Sequence, residues 1–306
     1  PGSVWAPREG EVVFPRDPIV RVEGGLLETQ IIETLVLNVL NFQSLIATKA
    51  ARCAQAAGDR AISEFGLRRA QGLGGLWTSR AAAIGGCAST SNLAAARAYG
   101  IRSAGTMAHS FVQGHDDELT AFREFAGIHQ SSTILLLDTY DTLRSGLPNA
   151  IRVAREMAER GEALRGVRLD SGDLAYMARK VRRGLDSAGL EKVAVVASNQ
   201  LDEWVIRSLD AQQAPIGLFG IGTRLAAGLP DAALDGVYKL SVAGGRARMK
   251  FSENVAKTSL PGRKCVTRYE DGEGAPQADA VHLAEEPLPE RMRHPYDPGK
   301  RLDLSE

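Results

Sequence analysis

Two hydrophobic rhythms alternate along the middle of the chain. Short apolar runs end in polar or glycine-rich turns. AISEF leads into GLRRAQG, IRSAG into TMAHS, TILLL into DTYDT, RGVRL into DSGDL, KVAVVA into SNQLDE and IGLFG into IGTRL. Segments with apolar residues at helical spacing fill several intervals: 149–160 (Ile151, Ala154, Met157, Ala158), 173–187 (Leu174, Met177, Val181, Leu185) and 202–210 (Val205, Ile206, Leu209). Strand and helix alternating in this way predict βαβ units, a parallel sheet and an α/β fold.

The two ends follow other patterns. Residues 11–27 read as short strands separated by Pro15 and Pro18. From Glu28 to Ala57 the residues Ile32, Leu35, Val36, Val39, Leu40 and Leu45 recur at helical spacing, predicting one or two consecutive helices. The most apolar part, IIETLVLNVLNF, carries Glu33, Asn38 and Asn41 and is not read as a membrane span. After Pro230 the pattern turns to hairpins, with an Ala-Gly-Gly turn inside GVYKLSVAGGRARMKFSE. From Gly272 onward the chain is rich in Gly, Pro and Glu and reads mostly as loop.

Composition narrows the class. A chain of 306 residues amounts to about two domains, and 44% hydrophobic with 24% charged residues describes an ordinary globular protein. Acidic and basic residues balance at 37 each, so no overall field favours nucleic acid or an anionic membrane. Cys53, Cys87 and Cys265 are far apart and form no CxxC pair, which argues against a disulfide scaffold or zinc site and fits a reducing cytoplasm.

The chemistry-bearing residues cluster in one kind of place. Arg68, His109, Asp138, Arg168, Asp170, Asn199, Gly222 and Thr223 all fall just past the ends of predicted strands. In α/β sheets and barrels those ends share one face, where ligands bind. Each piece alone has an ordinary structural explanation. FGIGTRL offers glycines that let backbone amides approach a phosphate, but many βα turns need glycines for steric reasons alone. In VRLDSGDL, Arg168 presents a planar donor fork for an anion, while Asp170 or Ser171 reads equally as the cap of the next helix. Asp138 and Asp141 in LLLDTYDT also read as caps or as ligands. In EFGLRRAQG, Phe65 and the two arginines suit a flat anionic ring, or else a core aromatic followed by solvated charges. His109 has small neighbours and room for a bulky ligand, whereas His115, followed by three carboxylates, reads as a solvated helix start.

Taken in order, RVEGGLLETQIIETLVLNVLNFQSLIATKAAR, EFGLRRAQG, GTMAHSFVQGHDDELTAFREFA, LLLDTYDT, GVRLDSGDL, VASNQLDE, FGIGTRL and GVYKL make the chain resemble the nicotinate phosphoribosyltransferases. The resemblance implies an incomplete, irregular α/β barrel (61–231) beside an accessory β-rich domain assembled from both chain ends (1–60 and 232–306). It implies synthesis of nicotinate mononucleotide from nicotinate and phosphoribosyl pyrophosphate with Mg²⁺, coupled to ATP hydrolysis. A homodimer with its active sites at the interface follows from it too. So does a further N-terminal segment with a tyrosine motif for the partner's site, which nothing in this sequence matches, so the chain is read as truncated or completed by a separate piece. Carried over by motif, His109 is the phosphorylated histidine. Phe65 and Arg68 hold the pyridine ring and its carboxylate. Asp138, Arg168 and Asp170 hold the phosphoribosyl and pyrophosphate groups, and Gly220, Gly222 and Thr223 cradle the 5′-phosphate. The nicotinamide-using relatives place an aspartate near Thr90. Here the loop 85–92 has no acidic residue, so Thr90 and its neighbouring hydroxyls are expected to donate to a substrate carboxylate. SNQLDE departs from the family pattern at Gln200. Two rivals stand beside this reading: a nicotinamide-using relative, and a silent homologue that binds a ligand or partner subunit.

Overall fold

The computed structural model describes residues 2–253, 258–294 and 297–304. It divides into two compact units, Pro1–Leu40 with Asp235–Glu306, and Asn41–Leu234. The first boundary falls at residue 40 rather than 60. The later part of the long helix α2 (Glu33–Ala57) buries Leu45, Ile46, Ala50, Cys53 and Ala57 in the core of the second unit. With α1 (Leu26–Ile31) it forms a stretch long and apolar enough, by length and composition alone, to cross a membrane. A core helix passes the same test.

The second unit is an open, curled sheet of six parallel strands. They are β3 (Ala61–Glu64), β4 (Ser89–Thr90), β5 (Ile134–Leu136), β6 (Gly166–Leu169), β7 (Ala194–Ala197) and β8 (Leu218–Ile221), in the order β4-β3-β8-β7-β6-β5. Every neighbouring pair is parallel. Five strands match the apolar runs of the sequence. The sixth run does not: IRSAG forms no strand, only a single bridge between Ser103 and Thr90. The sheet therefore stays open between its edge strands β4 and β5. The intervening segment 101–108 leads directly into the short helix α5 (His109–Gln113).

The flanking helices are α3 (Gly74–Ile84), α4 (Leu93–Tyr99), α6 (Glu118–His129), α7 (Leu147–Glu159), α8 (Leu174–Ser187), α9 (Glu203–Ala211) and the single turn α10 (Thr223–Ala226). Their apolar faces cover the sheet: Ala150, Val153, Ala154 and Met157 from α7, and Ala175, Ala178, Val181 and Leu185 from α8. Side chains cap several of their first turns. Asn92, Asp117, Asp173 and Asp202 each accept from a backbone N–H of the following helix. Behind the sheet, Lys49 of α2 donates to Glu203 of α9. Both side chains are buried, at 3% and 4% exposure, so α2 is tied to the helix that follows β7. Burial, then the charge of Glu203, push the neighbouring Cys53 thiol up to about 12.

The first unit, from both chain ends, consists of small antiparallel pairs: β1 (Ser3–Trp5) with β2 (Arg21–Glu23), β9 (Val242–Ala243) with β10 (Arg246–Ala247), β11 (Lys264–Glu270) with β12 (Pro276–Leu283), and β13 (Arg291–His294) with β14 (Asp297–Asp303). The β9–β10 turn is Gly244-Gly245, in the Ala-Gly-Gly hairpin read from the sequence. Two expectations fail here. Of residues 11–27 only Arg21–Glu23 is strand, and its partner lies earlier, at Ser3–Trp5. The stretch after Gly272 is largely strand rather than loop. The turn at Asp271–Ala275 folds β12 back on β11, and an Arg268–Asp279 ion pair crosses the hairpin.

Candidate functional site

The carboxyl ends of the parallel strands bring most of the sequence candidates together. At the end of β6, Arg168 is held on three sides. Its Nε donates to Ser198 Oγ at 2.8 Å, its Nη1 to Thr106 Oγ1 at 2.6 Å and its Nη2 to Asp170 Oδ1 at 2.9 Å. The guanidinium also lies 5.7 Å from the centre of the Phe65 ring, within cation–π range. These contacts use one N–H on each nitrogen. A guanidinium has five, so two remain for an anion. The ion pair is half-sheltered, with Arg168 at 17% and Asp170 at 26% side-chain exposure.

Asp138, just past β5, accepts from the Asp170 backbone N–H at 2.9 Å and from the Ser171 hydroxyl through Oδ2. Its other oxygen, Oδ1, is buried and has no hydrogen-bond partner. A buried, unsatisfied carboxylate oxygen is costly, so this one is ready to meet a hydroxyl or a cation. No cluster of three His, Cys, Asp or Glu side chains that could hold a metal occurs among the described residues. A divalent ion here would have to bring ligands of its own, as Mg²⁺ does when it arrives on a phosphate.

His109 opens α5 beside this pair. Its Nδ1 lies 3.1 Å from Thr139 Oγ1, and its Nε2 lies 3.8 Å from Asp170 Oδ2. With Thr139 holding Nδ1, Nε2 is the nitrogen turned toward the Arg168–Asp170 pair. The ring is 41% exposed, which leaves room for a reactant.

On the other side, β3 and β8 run in register, and the Phe65 N–H donates to the carbonyl of Ile221 at 2.8 Å. An edge of the Phe65 ring packs against Gly220, where an added Cβ would sit 2.5 Å from it. Gly220 thus serves close packing of the ring. Thr223 follows at the start of α10, and its hydroxyl accepts from Arg69 Nε at 3.1 Å. Arg68 lies in the short 3₁₀ turn Leu67–Arg69 and is exposed.

Several readings change. The helix after DSGD is capped by Asp173, not by Asp170 or Ser171, which frees Asp170 for Arg168. Asp141 is a cap and accepts from Leu143 N and Arg144 N, whereas Asp138 is not. His115 is not at a helix start, because α6 begins at Glu118. It is pinned between the Phe111 carbonyl and Glu124, 3.0 Å away, and those two bonds raise its pKa. Asn199 does not join the Arg168 network. It and Gln200 adopt positive φ, 82° and 50°, in the turn after β7, while Ser198 makes the contacts. Thr90 is 1% exposed and its hydroxyl donates to Glu64 Oε2 at 2.6 Å, so it faces inward rather than toward a ligand. Sequence reasoning missed Thr106, Thr139, Ser198 and Glu64, none of which carried a local signal. Arg69, read with Arg68 as suiting a flat anionic ring, reaches the Thr223 hydroxyl instead.

Comparison with known proteins agrees with this fold. The model of the nicotinate phosphoribosyltransferase (NAPRTase) family matches residues 61–269. The chain is similar to a nicotinate phosphoribosyltransferase of Bacillus subtilis, 45% identical over 301 residues, which covers 95% of this chain and 61% of the relative. It is 47% identical over 268 residues to nicotinate phosphoribosyltransferase pncB2 of Mycobacterium tuberculosis, covering 87% of this chain and 57% of that protein. The chain therefore spans about three-fifths of the length of these curated relatives. Among solved structures, human nicotinic acid phosphoribosyltransferase superposes with a TM-score of 0.85 at 33% identity, over 100% of this chain and 70% of that one. A nicotinate-nucleotide pyrophosphorylase from Pyrococcus furiosus superposes at 0.80 with 28% identity, over 99% and 73%.

Proposed function

The chain belongs to the nicotinate phosphoribosyltransferase family, and on that premise we propose that its site joins nicotinate to phosphoribosyl pyrophosphate to give nicotinate mononucleotide and pyrophosphate. The observation that carries the reading is the Arg168 cluster. One guanidinium with two N–H groups to spare lies over an aromatic ring, beside two carboxylates and a half-exposed histidine.

In this reading the pyridine nitrogen attacks C1 of the ribose. The bond from C1 to the pyrophosphate oxygen breaks, and its electron pair leaves with pyrophosphate. The nitrogen attacks through its own lone pair, so no side chain need remove a proton. Catalysis rests on positioning and on stabilising the departing charge. Arg168 supplies donors for that charge. Phe65 supplies a flat face for the ring, and exposed Arg68 a cation for its carboxylate. Asp170 and the unsatisfied oxygen of Asp138 face the ribose and its pyrophosphate. Carboxylates repel a bare pyrophosphate, so they fit a donor that arrives with Mg²⁺, which supplies charge neutralisation. Gly222 and Thr223, with Arg69 alongside, cradle the 5′-phosphate.

His109 Nε2 is assigned the γ-phosphate of ATP. A P–N bond forms, the bond to ADP breaks, and ADP leaves, with Asp170 stabilising the charged ring. The active assembly is proposed as a homodimer acting in the cytoplasm. The test is product formation by the full-length protein. Nicotinate and donor should yield nicotinate mononucleotide and pyrophosphate in equal amounts, and ATP should increase the yield. Absence of both products with correctly folded protein would end the proposal.

A further inference from the structure

Glu64 is the last residue of β3, directly before Phe65, and its side chain is 0% exposed. Among the described residues, no lysine, arginine or histidine bonds to it. It is held instead by neutral donors from three segments. Oε1 accepts from the Gly66 backbone N–H, and Oε2 accepts from Ser79 Oγ of α3 at 2.8 Å and Thr90 Oγ1 of β4 at 2.6 Å. Those donors are braced in turn. Asn92 N donates to Thr90 Oγ1 at 3.0 Å, and Asn92 Nδ2 donates to the Gly75 carbonyl at 3.2 Å. Ser79, Thr90 and Asn92 are each no more than 2% exposed. A carboxylate taken wholly out of water needs such bonds, so the residues around it cannot drift without leaving it unpaired.

The position of Gly66 gives this hub a consequence for the site. A Cβ there would meet the Ala226 Cβ at 2.5 Å, the Glu64 carboxylate at 2.9 Å and the Gly222 carbonyl at 3.1 Å. Gly66 is therefore wedged between Glu64 and the β8–α10 turn. Ring-facing Phe65 is on one side of this wedge, and the Gly222-Thr223 turn is on the other.

We propose that Glu64 is a positioning residue: by clamping the Gly66 amide to Ser79 and Thr90 it fixes the ring-holding turn against the phosphate-holding turn. This rests on the function proposed above. The ring nitrogen must meet C1 of a sugar whose phosphate is held on the other turn, so the clamp sets the separation of the reacting atoms. Loss of the clamp acts on kcat more than on donor binding. It also changes what residue 90 does, because Thr90 contributes a bond to the clamp rather than to the substrate.

The experiment uses the full-length protein with Glu64→Met, Glu64→Gln and Thr90→Val. Glu64→Met keeps the volume and removes every acceptor. Glu64→Gln keeps an acceptor for Gly66 and offers its NH₂ to the two hydroxyls, which can accept. Because misplacement by about 1 Å costs roughly 100-fold, Glu64→Met should lower kcat about 10- to 100-fold with the donor KM within about threefold. Thr90→Val should lower kcat in the same sense by less, and Glu64→Gln should restore most of it. Amide exchange at Gly66, read in the same proteins, should speed up at least about tenfold in Glu64→Met and little in Glu64→Gln. Folded Glu64→Met and Thr90→Val proteins with parental kcat would overturn the proposal, and so would an unchanged Gly66 exchange rate. If Glu64→Met does not fold, Thr90→Val decides. An unmutated protein that forms no mononucleotide would instead sink the function, while the exchange data would still decide the clamp.

Discussion

Placing a carboxylate at residue 90 tests the buried hub most severely. In the parent protein the Thr90 hydroxyl donates to Glu64 Oε2 at 2.6 Å, and both residues are essentially fully buried. Thr90→Asp removes that donor, and a hydrogen bond to a charged group contributes about 1.5–3 kcal/mol. It also sets a second carboxylate against Glu64. Two like charges about 4 Å apart repel by about 4 kcal/mol at an effective dielectric of 20. Together these reach roughly 6 kcal/mol, the lower part of the 5–15 kcal/mol that holds a typical domain folded. Urea unfolding of the parent, Thr90→Asp and Thr90→Asn at neutral pH measures the effect. Thr90→Asn is the neutral control: it removes the hydroxyl without adding a charge and should lose less. A Thr90→Asp protein within about 1 kcal/mol of the parent would refute the reasoning, because Glu64 could not then face residue 90.

Three further outcomes follow from the same geometry. Incubation with γ-labelled ATP should give acid-labile, base-stable label on the parent and none on His109→Ala, and equal labelling of both would remove His109 as the acceptor. Arg168→Ala should bind phosphoribosyl pyrophosphate with Mg²⁺ about 10- to 100-fold more weakly in isothermal titration, since a charged hydrogen bond to phosphate is worth about 1.5–3 kcal/mol, and unchanged affinity would make Arg168 structural. Lys49→Met should lower unfolding free energy by about 3–5 kcal/mol, because it strands Glu203 as a buried, unpaired charge. A loss under 1 kcal/mol in urea titration would mean that water reaches the pair.

The parallel strands were legible because each is an apolar run closed by polar residues, and five of the six lie where those runs are. β4 was not, since its two residues, Ser89 and Thr90, are polar and buried only by what folds over them. Composition misled at the carboxyl end, where a stretch rich in Gly and Pro nonetheless holds β12, eight residues paired with β11. At the site, Arg168, Asp170, Asp138 and Phe65 were found by motif, and the structure brings them together. Their supports were invisible because the contacts are distant in sequence. Thr106 is 62 residues from Arg168, and Ser79 and Thr90 are 15 and 26 residues from Glu64. A lone acidic residue at the end of AISEF carries no mark of burial, and a threonine in a polar loop looks free to meet a ligand. Only the fold shows that they face each other.

The central claim is that the Arg168 site couples a pyridine acid, not its amide, to the phosphoribosyl donor. Its most direct test offers the full-length protein equal amounts of isotopically distinct nicotinate and nicotinamide with phosphoribosyl pyrophosphate, Mg²⁺ and ATP, and reads the two mononucleotides by mass. The expected result is product carrying the nicotinate label in large excess, abolished or strongly reduced in Arg168→Ala. Equal labelling from the amide, or undiminished product from Arg168→Ala, would contradict it.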